Sequence, residues 1–343
     1  MAYTTINKGS SYFNTVLYTG TGATLSITGV GFKPDWVWTK GRSVAFSHYL
    51  MDSVRGVGKR IMSNSTSNED TGIFGVSSFN SDGFTLGTDT GANNSGSTFV
   101  GWNWLASNTT VSNTSGTISS TVSANTTSGF SIVSYTGTGA NATVGHGLGV
   151  APRMIILKSR TDGGADWRVY HASVGNTGYL ELNTAGATTT SSTTWQNTTP
   201  TSTVFSIGTS GTVNLNTGSF IAYCFAEIKG FSKFGSYTGN GSSNGTFVYT
   251  GFKPAFVMVK STGAGANWLM QNNKTLGYNA SNSELYANLS NAEGTFDRAD
   301  LLSNGFKTRI NSGENNSSGV TYIYMAFSES PFVSSKAIPT TAR

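Results

Sequence analysis

Apolar residues in this chain fall in short runs separated by clusters of Gly, Ser, Thr and Asn, and the runs read as strands. In "FVGWNWLA" from Phe99, large and small positions alternate: Phe99, Gly101 and Asn103 against Val100, Trp102 and Trp104. "FIAYCFAE" from Phe220 and "YIYMAFSE" from Tyr322 are apolar on both faces. This pattern predicts central strands sandwiched between layers. "FNSDGFTLG" and "LLSNGFKTR" carry Asp-Gly and Asn-Gly between alternating residues, which predicts hairpins. No segment shows helical periodicity with caps, so the chain reads as all-β.

The same order of landmarks occurs three times. A Tyr-Thr-Gly-x-Gly stands at Tyr18, Tyr135 and Tyr237, and a proline opens an apolar run ending in lysine at Pro34, Pro152 and Pro254. A phenylalanine follows a turn at Phe84, Phe205 and Phe306, and the aromatic runs from Phe99, Phe220 and Tyr322 close each copy. A period of about 100 residues is too long for a solenoid and fits serial domains. The expected architecture is three serial antiparallel β-sandwich domains of about 100 residues. The expected boundaries are an N-terminal attachment arm at 1–11, repeats at 12–107, 129–229 and 230–331, a Ser/Thr/Asn-rich linker at 108–128 and a tail at 332–343. Within the linker, "TISSTV" has the character of a strand. Repeats two and three abut and are expected to form a rigid pair.

Composition sharpens this picture. Only 11% of residues are charged while 43 are Gly, which disfavours helices; 20 Phe, 14 Tyr and 7 Trp are too many rings for a disordered polymer. The net charge of +5 is scattered, so no nucleic-acid groove is expected. No stretch of 18 apolar residues occurs, and the start lacks a leader-like apolar core; cytosolic synthesis without a membrane span is expected. The single cysteine, Cys224, lies in an apolar run and reads as a buried core thiol.

Candidate chemistry is sparse. The Gly-x-Gly after Tyr18 resembles a phosphate loop, but "ATLSITGVGF" follows it instead of a helix, so turn geometry explains the glycines better. Lys40, Lys158 and Lys260 end equivalent strands. They read either as ligand contacts at equivalent sites or as strand termini with their charge in water, the latter being favoured. Trp36 and Trp38 are matched by Met154 and Ile156, then by Phe256 and Met258; apolar character is kept and ring identity is not, which points to core. The aromatics after each lysine, Tyr49, Trp167 and Trp268, have polar neighbours and are the best candidates for a binding surface, although inward rings flanked by outward polar groups fit as well. His48 with Asp52 and Asp166 with His171 could each seed a triad, but neither pair recurs in the other copies. The adjoining Glu69 and Asp70, and Asp297 with Asp300, likewise lack counterparts. No metal or cofactor motif is present and no enzyme is expected.

The segments "MAYTTINKGSSYFNTVLYTGTGA", "PDWVWTKGRS", "HYLMDSVRG", "SSFNSDGFTLG", "FVGWNWLA" and "TTSGFSIVSYTGTGANATVGHGLGVAPRMIILKSR" resemble repeats of virion proteins from tailed, especially marine, bacteriophages, described as SPRY-like or lectin-like sandwiches. The resemblance covers about residues 1–331 and implies that the sandwiches are SPRY/concanavalin-like or jelly-roll-like. It implies a non-enzymatic virion protein, on the tail or capsid surface, whose partners are other virion proteins. A tail fibre or spike touching a host glycan or surface protein would be a homo-oligomer, with a trimer expected. The alternative is a capsid decoration protein bound only to viral neighbours. The arm "MAYTTINKGSS" is the expected attachment segment.

Overall fold

The computed structural model describes residues 4–72, 75–263, 265–275 and 281–330. The chain is all-β, with three four-residue α-helical turns and one 3₁₀ turn among the described residues. No helix among them is long and apolar enough to cross a membrane. The tail expected at 332–343 lies outside the described residues.

Each repeat is built around one antiparallel sheet in which the closing strand sits between the opening strand and the proline-led strand. In repeat one the order is Phe13–Thr19, Thr98–Trp104, Trp36–Gly41, Tyr49–Asp52, Lys59–Met62, Asp70–Thr71. In repeat two Phe130–Thr136, Ser219–Phe225, Met154–Ser159 and Arg168–His171 repeat that order, and in repeat three Ser232–Thr238, Thr321–Ser330, Lys253–Ser261 and Leu269–Asn272 do so. A second layer covers one face: Leu25–Ile27 with Gly83–Leu86 and Val76–Asn80, Ala142–Gly145 with Val204–Ile207, and Phe247–Tyr249 with Gly305–Thr308 and Gly294–Leu302. The predicted hairpins close between Asn80 and Gly83 and between Leu302 and Gly305. A Cβ on Gly83 or Gly305 would collide with the carbonyl oxygen of Ile27 or Val248, so close approach by the neighbouring strand demands these glycines.

The other face of each main sheet accounts for the strands that are apolar on both sides. Val37, Ile155 and Leu157, and Val257 and Val259, point into the sandwich of their own repeat. Their neighbours Trp36 and Trp38, Met154 and Ile156, Phe256 and Met258 point the opposite way, into one further core common to all three repeats. The closing strands alternate in the same manner, with Trp102 and Trp104, Tyr223 and Phe225, Met325 and Phe327 on the common side. Strand alternation thus gives each repeat two buried faces. Three private cores surround a shared one, so the sandwiches are serial in sequence and fused in packing. Cys224 is buried in the private core of repeat two, and burial raises its thiol pKa far above the ordinary range.

Two expected segment boundaries change. The presumed linker at 108–128 is folded: Ser120–Asn125 pairs with Phe130–Thr136, and Val111–Asn113 pairs with Ser120–Asn125, extending the sheet of repeat two. Val111–Asn113 forms the edge of that sheet, and its side chains are exposed or half-buried. The arm is also anchored over its described part, because Ile6 is 1% exposed and belongs to the common core.

The Tyr-Thr-Gly-x-Gly motif is a lock around a buried asparagine. The hydroxyls of Tyr18, Tyr135 and Tyr237 donate to the carbonyls of Ala92, Val213 and Asn315 at 2.8, 2.6 and 2.7 Å. The next residue in each case, Asn93, Asn214 or Asn316, is fully buried and accepts a backbone N–H from the glycine loop. The second glycine of each motif has positive φ: +72° at Gly22, +74° at Gly139 and +66° at Gly241. Asn214 also donates to the carbonyls of Ala140, at 2.5 Å, and Gly208, at 2.9 Å. Asn214→Ala is therefore expected to cost about 1–3 kcal/mol, read from the urea midpoint, because it orphans buried backbone groups. Asn214→Asp should cost more, since it sets a carboxylate against two carbonyl oxygens.

Candidate functional site

The repeated lysines and aromatics meet at the seams between repeats. Lys40, Lys158 and Lys260 are each fully buried. Lys40 Nζ donates to Ser290 O in repeat three, Lys158 Nζ to Thr66 O in repeat one and Lys260 Nζ to Ala185 O in repeat two, at 3.2, 3.0 and 3.1 Å. One on three, two on one and three on two form a closed cycle, so the repeats have quasi-threefold arrangement. The favoured expectation that these charges stand in water is corrected: carbonyls of the adjoining repeat replace water at the strand end. Burial lowers all three lysine pKa values to about 8, despite the opposing pull of Glu293 on Lys40, of Asp162 and Asp166 on Lys158, and of Glu314 on Lys260.

The aromatics are seam residues too. Trp167 and Trp268 are 0% and 1% exposed, and their indole N–H groups donate to Met62 O at 3.0 Å and Glu181 O at 2.8 Å in the adjoining repeat. The third position in this cycle belongs to His48 and not to Tyr49. His48 Nδ1 accepts from Trp38 Nε1 at 2.8 Å, which leaves Nε2–H to donate to Tyr286 O at 2.9 Å. The backbone confirms the alignment, since the N–H groups of His48, Trp167 and Trp268 each donate to an asparagine side chain, Asn64, Asn183 or Asn288. Tyr49 instead packs inside repeat one, with the Arg60 guanidinium 4.1 Å from its ring centroid; burial, followed by Asp89, moves its pKa up to about 12. The six candidate residues therefore do not form an exposed aromatic surface.

Ion pairs complete the seams. Arg42 binds Glu293 through two hydrogen bonds of 2.9 Å, and Arg160 binds Glu69 through bonds of 3.0 and 2.8 Å. Backbone bonds Glu293 N–H to Arg42 O and Glu69 N–H to Arg160 O accompany them, and Thr188 N–H to Thr262 O is the uncharged counterpart in the remaining seam. Beside Glu69 lies a buried cluster. Arg55 contacts the Asp52 carboxylate, reaches Glu69 at 3.2 Å and Tyr223 OH at 3.3 Å, and Tyr223 OH donates to Asp52 at 2.8 Å. Burial works against the Glu69 charge, but Arg160 and Arg55 outweigh it and hold its pKa below the ordinary value.

Neither histidine–aspartate pair assembles a triad. Asp52 serves Arg55 and Tyr223, while Asp166 accepts from Asn183 and His171 bonds Ser173 N and Tyr324 O. Asp70 pairs with Arg60 and Asp300 with Arg309. Among the described residues no group of three His, Cys, Asp or Glu side chains could hold a metal ion.

The histidines give the fold an acid limit. Burial lowers the pKa of His48 and of His146, and lowers that of His171 to about 4. An unfolded imidazole takes up its proton near 6.5, the folded ones only at lower pH. The histidine contribution to stability is thus complete above about pH 6.5 and falls as pH drops towards 4, by at most about 1.4 kcal/mol per pH unit for each histidine. Melting temperatures between pH 7.5 and 4.5 should show this slope, and His171→Asn should flatten it.

The surface offers a different kind of site, on repeat three. Phe247 and Tyr249 are 45% and 60% exposed on one face of a strand whose middle residue, Val248, is buried. Tyr249 borders a cleft of about 500 Å³ that is also lined by Glu227, Lys229 and Lys233. Lys233 and Glu227 form an ion pair of 3.0 Å in its lining. This arrangement holds aromatic surface beside paired charge, which suits docking. The sequence reading passes over both rings. Strand register supplies the missing signal, because Phe247 occupies the place of Ser26 and Thr143, and Tyr249 that of Thr28 and Gly145.

A family model described as a domain of unknown function (DUF7483) matches residues 8–331. The chain belongs to this family. The match runs through all three repeats, so the DUF7483 unit is the fused triplet and not a single sandwich. No curated protein matches the sequence.

Proposed function

We propose that this DUF7483 protein is a non-enzymatic structural component of a tailed-bacteriophage virion, a tail fibre or spike part that contributes to host attachment. The observation that carries the structural reading is the use of the chain's chemical groups. Lys40, Lys158, Lys260, His48, His171, Arg42 and Arg160 are all committed to contacts between repeats. The phage setting rests on the resemblance of the repeat motifs, and attachment on the exposed rings of repeat three. In this reading several copies, expected as a trimer, sit at the particle surface and meet a host glycan or surface protein. Cryo-electron microscopy of the intact virion tests it: density for the triplet on the tail supports the proposal. Density confined to the capsid lattice makes the protein a head decoration and ends the attachment reading.

A further inference from the structure

The three repeats differ at one equivalent place, the free edge of the second layer. In repeat two that edge is the strand Ala142–Gly145, and the chain covers it with its own segment. Ile118 forms a parallel bridge to Val144, Ile118 N–H donates to Thr143 O at 3.0 Å, and Thr117 Oγ accepts from Thr143 N–H at 2.8 Å. Ile118 is buried and joins the private core of that repeat. The covering segment belongs to the stretch between repeats one and two.

Repeat three has no such stretch before it, because the strand Ser219–Phe225 leads through a short turn directly into Ser232–Thr238. Its equivalent strand, Phe247–Tyr249, ends the sheet with no further strand beside it among the described residues. Register equates Phe247 with Thr143, the residue whose N–H and C=O are both engaged by the covering segment in repeat two. Repeat one also leaves Leu25–Ile27 at a sheet end, but there the matching positions are Ser26 and Thr28. Among the described residues, only repeat three combines an edge with no strand beside it and large exposed rings.

We propose that the Phe247–Tyr249 edge of repeat three docks an extended, uncharged strand from a different protein, added parallel to it as Thr117–Ile118 is added in repeat two. The strand presents a small hydroxyl residue to the backbone of Phe247 and an apolar residue to the adjoining end of the private core. The two rings flank it and exclude water from the new hydrogen bonds. Main-chain bonding of this kind supplies affinity, and the flanking side chains supply selectivity. This inference stands apart from the virion reading, since it needs only a partner chain.

The test uses the full chain and a synthetic peptide of its own residues 110–121, which carry the Thr117–Ile118 pair. The expected result is saturable binding that slows amide exchange at 247–249 by about tenfold or more. Phe247→Thr with Tyr249→Gly, which installs the residues of repeat two, should weaken binding at least about tenfold while leaving the melting temperature unchanged. Equal binding by this variant, or by a scrambled peptide, overturns the proposal, as does the absence of saturable binding. A concentration-dependent dimer abolished by the same double substitution also overturns it, because the occupant would then be a second copy of this chain. Should the double variant unfold, Tyr249→Thr alone gives the same comparison.

Discussion

Arg55→Leu is expected to destabilise the protein by about 3–5 kcal/mol, because it leaves one fully buried carboxylate and weakens the hold on a second. Arg55 and Asp52 side chains are both 0% exposed, and Glu69 is 8% exposed. Burial opposes the Arg55 charge, but Asp52, then Tyr223 and Glu69, more than offset it and raise its pKa. Removing the guanidinium strands Asp52 beside Tyr223 OH, with Arg160 alone left to hold Glu69. Arg55→Leu combined with Asp52→Leu should recover part of the loss, because it removes the stranded carboxylate. Urea denaturation of Arg55→Leu, of Asp52→Leu and of the double variant checks this. Because Tyr223 belongs to repeat two and Arg55 to repeat one, the lost stability belongs to the seam as well as to repeat one.

Trp104→Ala should cost a similar amount, about 3–5 kcal/mol, for an unrelated reason. The Trp104 ring contacts Phe13 at 4.8 Å and Trp36 at 4.4 Å within repeat one. It also reaches Phe225 of repeat two at 6.5 Å and Phe256 and Phe327 of repeat three at 6.0 and 5.7 Å. The cavity therefore opens where all three repeats meet. Trp104→Phe is expected to be much milder, because the indole Nε1 is buried without a hydrogen-bond partner and its removal relieves an unsatisfied donor. A larger loss for Trp104→Phe than for Trp104→Ala would contradict this packing account.

The strands, the threefold repetition and the core status of Trp36 and Trp38 were legible because period-two alternation and recurring landmarks are local signals. The common core was half legible. Runs such as "FIAYCFAE" show two apolar faces, but no local feature says whether the second face meets a layer of the same repeat or a neighbouring repeat. The lysines misled for a related reason: a charge at a strand end ordinarily meets water, and only the adjoining repeat's carbonyls reverse that expectation. The alignment of Tyr49 with Trp167 and Trp268 favoured ring chemistry over hydrogen-bond role. His48 fills the indole position as an N–H donor, an equivalence that becomes visible through its bond to Tyr286 O and its backbone bond to Asn64. The strand at Ser120–Asn125 was weakly legible, because its residues are small and polar and its partner, Phe130–Thr136, had to be known first.

The central claim is that three sandwiches share one core and unfold as one body. Differential scanning calorimetry of the intact chain tests this most directly. The account predicts one transition whose van't Hoff and calorimetric enthalpies agree, at roughly 200 kcal/mol or more for a unit of this size. Two or three separable transitions, each with a van't Hoff enthalpy near the roughly 70 kcal/mol of a 100-residue domain, would contradict it.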